Sequence, residues 1–374
     1  MFLPQRSENL CRHFSLNTHK FRQLRTLLHK APTNPAKEGS AGAPATIALI
    51  FIHYSTNFIN CNRKHLEIPA DLCYFTPGDF MKKEKLLGSA QLLAATLIWG
   101  CAFVAQSMGM DHLGPMSFQA IRSALAVLAL LPVILLMDRE PAAYIPKWKT
   151  KGLWKTGILC GLALFVAQGL QQVGLMYTEP GKAGFITAMY IVLVPVLGLF
   201  LGRKCGLRVW FSVALAVAGL YLLSCVGVAT VNLGDILILC SAGAFAVQIV
   251  LIDSLAQHLD GLRLNCVQFM VVTVLSAFAA AFTETPTVRG VLDCALPLLY
   301  TGVLSSGAAF TLQILGQQHL PPEPASLIMS LESVFAVLAG WAILGQTLRP
   351  VEILGCVLVF AGVILSQTKQ KASS

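Results

Sequence analysis

The sequence predicts an all-α integral membrane protein with ten transmembrane helices, arranged as two inverted five-helix repeats. Composition is the first observation: 55% of the 374 residues are hydrophobic and 12% are charged, whereas a soluble chain has roughly 25% charged residues. The second is a series of long apolar runs after residue 87, and the third is that this series repeats itself. A mean hydropathy of +0.68 excludes a large soluble enzyme.

Ten apolar runs give the predicted transmembrane helices. A helix needs about 20 residues to cross a hydrocarbon core of about 30 Å, and the runs approach or exceed this length. They lack the alternation of strands, and a helix in lipid satisfies its own backbone hydrogen bonds. The predicted spans are residues 88–108, 116–137, 153–176, 183–202, 207–225, 234–257, 263–282, 296–316, 324–344 and 351–366.

The first five spans, 88–225, and the last five, 234–366, form two related units. A shift of 143 positions lays Val194 on Val337 and Gly219 on Gly362, among other identities. Because each unit has an odd number of helices, the second copy enters the membrane from the opposite side. Inverted repeats of this kind can open a central site to either side in turn. The alternative is a duplication that only enlarges the bundle.

Lysine and arginine predict the orientation. If the first span starts inside, the inner segments carry fourteen basic residues, and the outer loops carry three, Lys182, Arg289 and Arg349. Cytoplasmic loops are enriched in Lys and Arg. We therefore expect a multi-pass protein of the plasma membrane with both termini, including the tail 367–374, in the cytoplasm.

Residues 1–80 show no helical or strand period, and their longest apolar run, 46–52, is too short to span a bilayer. Two interpretations stay open for this segment. It is either a disordered cytoplasmic extension or sequence upstream of a true translation start at Met81, where a basic stretch precedes the first apolar helix. No function is assigned to it.

Two charged residues of opposite sign lie well inside the spans. Arg122 is in the second span and Glu332 near the middle of the ninth. A central Arg costs about 2.5–3.5 kcal/mol on insertion scales, so it should face the bundle interior. As a functional pair, Arg122 binds a carboxylate and Glu332 binds an amine or a proton. As a structural pair, they join two helices directly or through water.

Glutamines form a second polar set. Gln168 and Gln172 are one helical turn apart and share a face, and Gln313 and Gln317 repeat this spacing in the eighth span. Interhelical amide bonds are one explanation. A polar cavity lined from both repeats is the other, and it predicts that Gln168, Gln172, Gln248 and Gln313 hydrogen-bond a substrate.

Other residues inside the spans carry weaker expectations. Trp99 and Tyr190 lie mid-span, away from the interfacial aromatic belts, and either form the walls of the pocket or serve ordinary packing. Asp235 and Asp253 lie near the two ends of the sixth span and are interpreted as solvated helix ends. Pro195 is expected to kink the fourth span.

Signals of other functions are missing from the sequence. It contains no HExxH, GxSxG or Walker-type loop, and its eleven cysteines are scattered without a CxxC pair. We therefore predict no enzyme, no metal and no cofactor. The basic residues lie in short loops between apolar runs, so nucleic acid is not an expected partner.

Several segments, in this order, carry a resemblance to a known family. They are Ala95-Thr96-Leu97-Ile98-Trp99-Gly100 with Phe103, Pro115 with Arg122, Tyr177-Thr178, Gly181-Lys182-Ala183-Gly184-Phe185-Ile186-Thr187, Val194-Pro195, Leu331-Glu332, Val334-Phe335, Leu344-Gly345, Gly355 and Gly362. With them, residues 88–366 resemble the drug/metabolite transporter superfamily, in its EamA-type branch of ten-helix carriers. The chain departs from this pattern at Ser333, where members often have Pro, and at Gln346, where they often have Glu.

The resemblance implies secondary transport of small organic metabolites, commonly export of amino acids or related compounds. Such carriers work without cofactors, often by proton coupling or exchange. Two rivals stay open: a lipid or hydrophobic-drug translocator on the same fold, and a non-transporting membrane scaffold or receptor. Homodimerisation through glycine-rich helix faces is undecided from the sequence.

Accessibility labelling tests the inverted arrangement. Lys149 and Gly227 lie in loops that we predict on opposite sides of the membrane. Single cysteines at these positions should react with a membrane-impermeant thiol reagent from opposite faces of oriented vesicles. Reaction of both from the same face would contradict the predicted topology.

Overall fold

The computed structural model describes residues 77–138, 147–203, 205–224, 232–344 and 349–367. Residues 1–76 of the predicted extension 1–80, residues 368–374 of the predicted tail and the departure at Gln346 lie outside these ranges. Residues 77–80, which the sequence assigned to the extension, belong to the first helix. Within them every regular element is helical. We call the face where the first span begins the inner face, which is the predicted cytoplasmic face, and the opposite one the outer face.

Fourteen α-helices and one π-helical segment follow one another along the described ranges. The segment Tyr300–Ala309 is π-helical. The α-helices are α1 Pro77–Met110, α2 Pro115–Met137, α3 Leu153–Gly174, α4 Pro180–Thr187, α5 Tyr190–Phe200, α6 Leu207–Ser224, α7 Leu233–Leu255, α8 Gly261–Thr283, α9 Val288–Asp293, α10 Ala295–Leu299, α11 Phe310–Gln317, α12 Pro322–Met329, α13 Leu331–Leu344 and α14 Pro350–Gln367.

These helices confirm the predicted membrane-spanning architecture. In the described ranges, nine stretches are long and apolar enough to cross a bilayer, and the helix over Leu207–Leu223 is a shorter apolar tenth. Each predicted span overlaps one of the ten. The fourth span consists of α4 and α5, the eighth of α10, the π-helical segment and α11, and the ninth of α12 and α13.

The fourth span of each repeat is interrupted near its middle. In the first repeat, α4 ends at Thr187 and α5 begins at Tyr190, and the amide of Ile191 bonds the carbonyl of Ala188 at 3.0 Å. In the second repeat, the interruption lies at Ser330, whose carbonyl accepts from the amide of Ser333 at 3.2 Å. Such i→i−3 bonds tighten a helix locally and often mark a hinge. Pro195 lies inside α5, beyond the interruption.

A buried polar cluster joins the two repeats at the outer face. The Asp235 carboxylate pairs with Lys182 Nζ at 2.6 Å and accepts from Thr178 Oγ1 at 3.0 Å. Asn232 caps α7 by accepting from the amide of Asp235 at 2.9 Å. The expectation that Asp235 is a solvated helix end is therefore wrong, because its carboxylate is buried and has found the partners that burial requires.

At the inner face, ion pairs fasten the second span to the seventh. Asp138, at the end of α2, pairs with Lys147 and with the buried Arg263 of α8, which also pairs with Asp260. Asp253, the other predicted solvated end, is paired with Arg203 at 2.6 Å.

The same two spans are also joined at the outer face. There the Glu284 carboxylate, just after α8, accepts the amides of Met116 and Ser117 at 2.8 Å each. A carboxylate at a helix N-terminus also interacts favourably with the helix dipole. The second and seventh spans are thus held together at both ends.

Glycine contact between the fifth and tenth spans gives a stability test. A Cβ at Gly219 would lie 2.6 Å from the carbonyl oxygen of Gly355 and 2.7 Å from the amide nitrogen of Val359. Gly219→Ala should therefore destabilise the protein by about 1–3 kcal/mol through overpacking, measured by thermal unfolding in detergent. Gly243→Ala is the matched control, since nothing lies within 4 Å of its Cβ position. Equal melting temperatures for both variants would contradict this packing.

Candidate substrate-binding site

A pocket lies among seven of the ten spans, with residues from both repeats in its wall. Its cavity volume is about 50 Å³, well below the roughly 300–1,000 Å³ usual for small-molecule sites, so the pocket is narrow in this conformation. The wall has a polar part and an apolar part. The polar side chains are Gln106, Arg122, Gln168, Gln171, Thr187, Tyr190, Ser305, Gln313 and Glu332.

The irregular parts of the helices place residues in this wall. Thr187 and Tyr190 flank the interruption of the fourth span, and Met329 and Glu332 flank that of the ninth. Tyr190 and Glu332 both lie just beyond an interruption, one in each repeat. Ser305 comes from the π-helical segment. Discontinuous helices at a repeat interface commonly form the binding sites of secondary transporters.

Ser333 stands just beyond the interruption of the ninth span. Its Oγ donates to the carbonyl oxygen of Gly184 in α4 at 2.8 Å. This bond ties the interrupted spans of the two repeats together. A proline here, as in the family pattern, has no hydroxyl to make it.

Arg122 is 2% exposed, and its guanidinium is only partly paired. Nη1 donates to Gln106 Oε1 at 2.6 Å. Among the described residues, Nε and Nη2 have no hydrogen-bond partner. These two nitrogens form one edge of the guanidinium plane, and two parallel N–H groups match the two oxygens of a carboxylate. One bidentate edge of the guanidinium is therefore unpaired among the described residues.

Glu332 lies buried in the same wall but does not pair with Arg122. Its Oε1 accepts from the Tyr190 hydroxyl at 3.0 Å. Within the described part of the chain, Arg122 and Glu332 share no ion pair. The direct structural pair that the sequence left open is therefore not formed. The pocket presents one cation and one acid as separate groups.

The structure separates the four predicted glutamines. Gln168 and Gln313 line the pocket, whereas Gln172 and Gln248 do not. Gln248 instead accepts from Gln313 Nε2 at 3.1 Å and donates to Gln268 at 3.5 Å. Gln172 is fully buried, one turn from Gln168 towards the outer face.

Sequence reasoning assigned no role to several polar residues of the wall. Gln106 holds Arg122, and Gln171 donates to Thr187 Oγ1 at 3.0 Å. The position of Gln106 inside the last turn of the predicted first span was a usable signal. Gln171 lies off the helix face that Gln168 and Gln172 share. Thr187 has no sequence signal, because its role depends on the helix interruption beside it.

Aromatic rings close the apolar side. The Trp99 ring lies edge-on to Phe310, with centroids 4.9 Å apart, and Phe310 packs on Phe269 at 5.3 Å. Trp99 and Tyr190 thus lie where walls were predicted. Phe103 and Phe245, which the sequence did not single out, complete this side.

A bundle of apolar helices around a buried pocket with charged side chains, at the interface of two repeats, is an arrangement typical of membrane transporters with inverted repeats. Residues 86–225 and 232–368 each match the EamA-like transporter family. The chain belongs to this family, which lies within the drug/metabolite transporter superfamily. It is therefore a multi-pass membrane transporter of a small-molecule substrate.

Related proteins that are named as transporters support this assignment. A protein of Archaeoglobus fulgidus named an uncharacterized transporter is 30% identical over 322 residues, 84% of this chain and 96% of the relative. The transporter YoaV of Bacillus subtilis is 25% identical, over 74% of this chain and 94% of its own. The inner membrane transporter YedA of Escherichia coli K12 is 24% identical, over 74% and 90%.

A solved protein structure is similar in fold. It superposes with a TM-score of 0.60 at 17% sequence identity, covering 75% of this chain and 96% of that one. At this identity the likeness concerns the fold alone.

The hydrogen bond between Tyr190 and Glu332 gives a test of the site geometry. Tyr190→Phe should destabilise the protein by about 1–3 kcal/mol, because the buried acid loses its hydroxyl donor. Denaturant unfolding in detergent measures the change. Tyr221→Phe is the matched control, since that side chain is half-exposed on the surface of α6. Two variants of equal stability would contradict the bond.

Proposed function

We propose that this transporter exports small organic carboxylates, such as amino acids or related compounds, by alternating access. The observation that carries the proposal is the free edge of Arg122 in an enclosed pocket. A buried cation without a counter-charge is costly, and a substrate carboxylate supplies that charge with bidentate geometry. The carrier acts in the plasma membrane, with both termini in the cytoplasm.

Glu332 supplies the second recognition element. It binds the substrate ammonium, or it carries the coupling proton when the substrate has none. Tyr190 orients this acid from the opposite repeat. Tyr190 and Glu332 lie on the two interrupted spans. A change of backbone conformation at either interruption therefore alters both the geometry of the site and the opening of the pocket.

The amides and rings of the wall bind the rest of the substrate. Gln168 and Gln313 hydrogen-bond its polar groups, and Trp99 and Phe310 pack against its apolar part. A wall with one cation, one acid and several amides suits a zwitterionic or anionic substrate. They do not suit a lipid tail or a hydrophobic drug, for which desolvation of Arg122 and Glu332 would bring no compensating contact.

Flux through proteoliposomes tests the assignment. Arg122→Gln and Glu332→Gln should each lower counterflow of labelled amino acids about thirtyfold or more, because truncating one partner of a buried charge pair costs about 2–5 kcal/mol. Arg289→Gln and Glu179→Gln are the matched controls, since both side chains are exposed in predicted outer loops. These controls should keep the flux of the unmodified protein.

Full flux in both pocket variants would contradict the site. Transport of hydrophobic cations, with none of any carboxylate in the panel, would contradict the substrate class.

A further inference from the structure

Two buried glutamines lie on opposite sides of the pocket, each one turn beyond a glutamine of its wall. On α3, Gln172 follows Gln168, and on α11, Gln317 follows Gln313. A four-residue step advances about 6 Å along a helix and stays on one face. The two pairs match because the repeats match.

The step from Gln168 to Gln172 and the step from Gln313 to Gln317 lead towards opposite faces of the bundle. Contacts with the two ends of α7 establish this. Gly174, at the end of α3, packs against Gly234 at the start of α7. Gln318, just past α11, donates to the carbonyl oxygen of Ala256 at the end of α7, at 2.8 Å. Because α7 crosses the bundle once, α3 ends at the outer face and α11 ends at the inner face. Gln172 is therefore on the outer side of the pocket and Gln317 on the inner side.

Both amides are fully buried and incompletely hydrogen-bonded. Among the described residues, neither amide atom of Gln172 has a partner. Gln317 Nε2 donates to the carbonyl oxygen of Ile249 at 3.2 Å, while its Oε1 has none. Gln268 shows the contrast, because its amide donates to Asn265 at 2.7 Å and accepts from Gln248. Gln172 and Gln317 therefore keep hydrogen-bonding capacity that no described residue satisfies, and water or a bound substrate can supply the missing partners.

Gln317 and Gln172 have different surroundings between the pocket and the inner and outer faces, respectively. Gln317 lies at an open polar depression at the inner face, with an empty volume of about 790 Å³, whose wall includes Arg203, Asp253 and Glu323. At the outer face, the chain beyond Gln172 reaches Thr178 and the buried Asp235 cluster. Each glutamine thus lies between the pocket and its own face.

The inner side holds one more amide of this kind. Gln91 of α1 is fully buried, and neither of its amide atoms has a partner among the described residues. It lies one turn from Gly88, which packs against Gly316 of α11. Unpartnered amides therefore lie on the inner side of the pocket on two helices, α1 and α11.

We propose that Gln317 and Gln172 are relay positions for the substrate, Gln317 between the inner face and the pocket and Gln172 between the pocket and the outer face. A primary amide donates and accepts, so each can bond a carboxylate and an ammonium group in turn as its side opens and admits water. This inference rests on the proposed alternating access. It adds two substrate-contacting positions outside the pocket wall.

Thiol accessibility tests the relay by side. In a chain whose eleven native cysteines are replaced and which keeps its flux, Gln172→Cys should react with an impermeant methanethiosulfonate only from the outer face. Gln317→Cys should react only from the inner face. Both should react about tenfold or more faster than Gln268→Cys, the buried and fully bonded control. Unreactive cysteines at both positions, or reaction of both from one face, would overturn the proposal.

A second measurement uses the native cysteine background. Gln172→Leu should leave the melting temperature unchanged or raised, since it removes an unpartnered amide, and Gln317→Leu should lower it less than Gln268→Leu does, since it breaks one hydrogen bond. Flux should fall about tenfold in both variants. Gln268→Leu should lower the melting temperature, because it breaks two hydrogen bonds. Unchanged flux in both relay variants would overturn the proposal.

The two sets of results separate this inference from the proposed function. If Arg122→Gln keeps full flux while the side-specific labelling holds, the pocket assignment fails and the relay stands. If Arg122→Gln abolishes flux but the Gln172→Cys and Gln317→Cys variants do not react, the relay proposal is wrong and the pocket assignment stands.

Discussion

A guanidinium buried in a bundle of apolar helices, with only part of its hydrogen-bonding capacity used, is the constraint on which the site depends. Arg122 cannot face lipid without a large cost, so the second span turns it inward. Gln106 fixes the guanidinium plane through one nitrogen. The other edge needs partners, and the enclosed polar pocket beside it is where a ligand can provide them. Because Arg122 and Glu332 do not form an ion pair, the unpaired guanidinium nitrogens still lack hydrogen-bond partners. A direct ion pair would have provided these partners from the protein itself.

The irregular turns of the fourth and ninth spans help to form the same site. A regular α-helix shows each side chain at a fixed angle, and the tightened turns at Ala188 and Ser330 change that angle where Tyr190 and Glu332 must meet. The hydroxyl of Ser333 then locks the two interruptions together. Buried ion pairs at the faces hold the surrounding helices, which leaves the middle of the bundle as the part with irregular backbone.

The fold followed from the sequence because hydropathy and helix length are local quantities. Each predicted span overlaps an observed helix, and the odd number of spans in each repeat fixed their inverted relation. For the candidate site, six of the eight predicted residues came together: Arg122, Glu332, Gln168, Gln313, Trp99 and Tyr190. Gln248 lies behind the pocket wall, where it accepts a hydrogen bond from Gln313, a residue of that wall. Gln172 lies outside because helical spacing identifies a face but not a depth along it.

The sequence by itself determined that the chain crosses the membrane repeatedly, that its halves are related and that it carries polar groups lipid cannot solvate. Composition and periodicity suffice for this, since they depend on transfer of side chains into hydrocarbon and not on which partner each one meets. Only the tertiary structure decided which polar groups satisfy one another. It paired Asp235 with Lys182, joined Tyr190 to Glu332 across the repeats, and left one edge of Arg122 open. Hydrogen bonds require atoms within about 3 Å, and residues far apart in sequence reach that distance only when the bundle has packed.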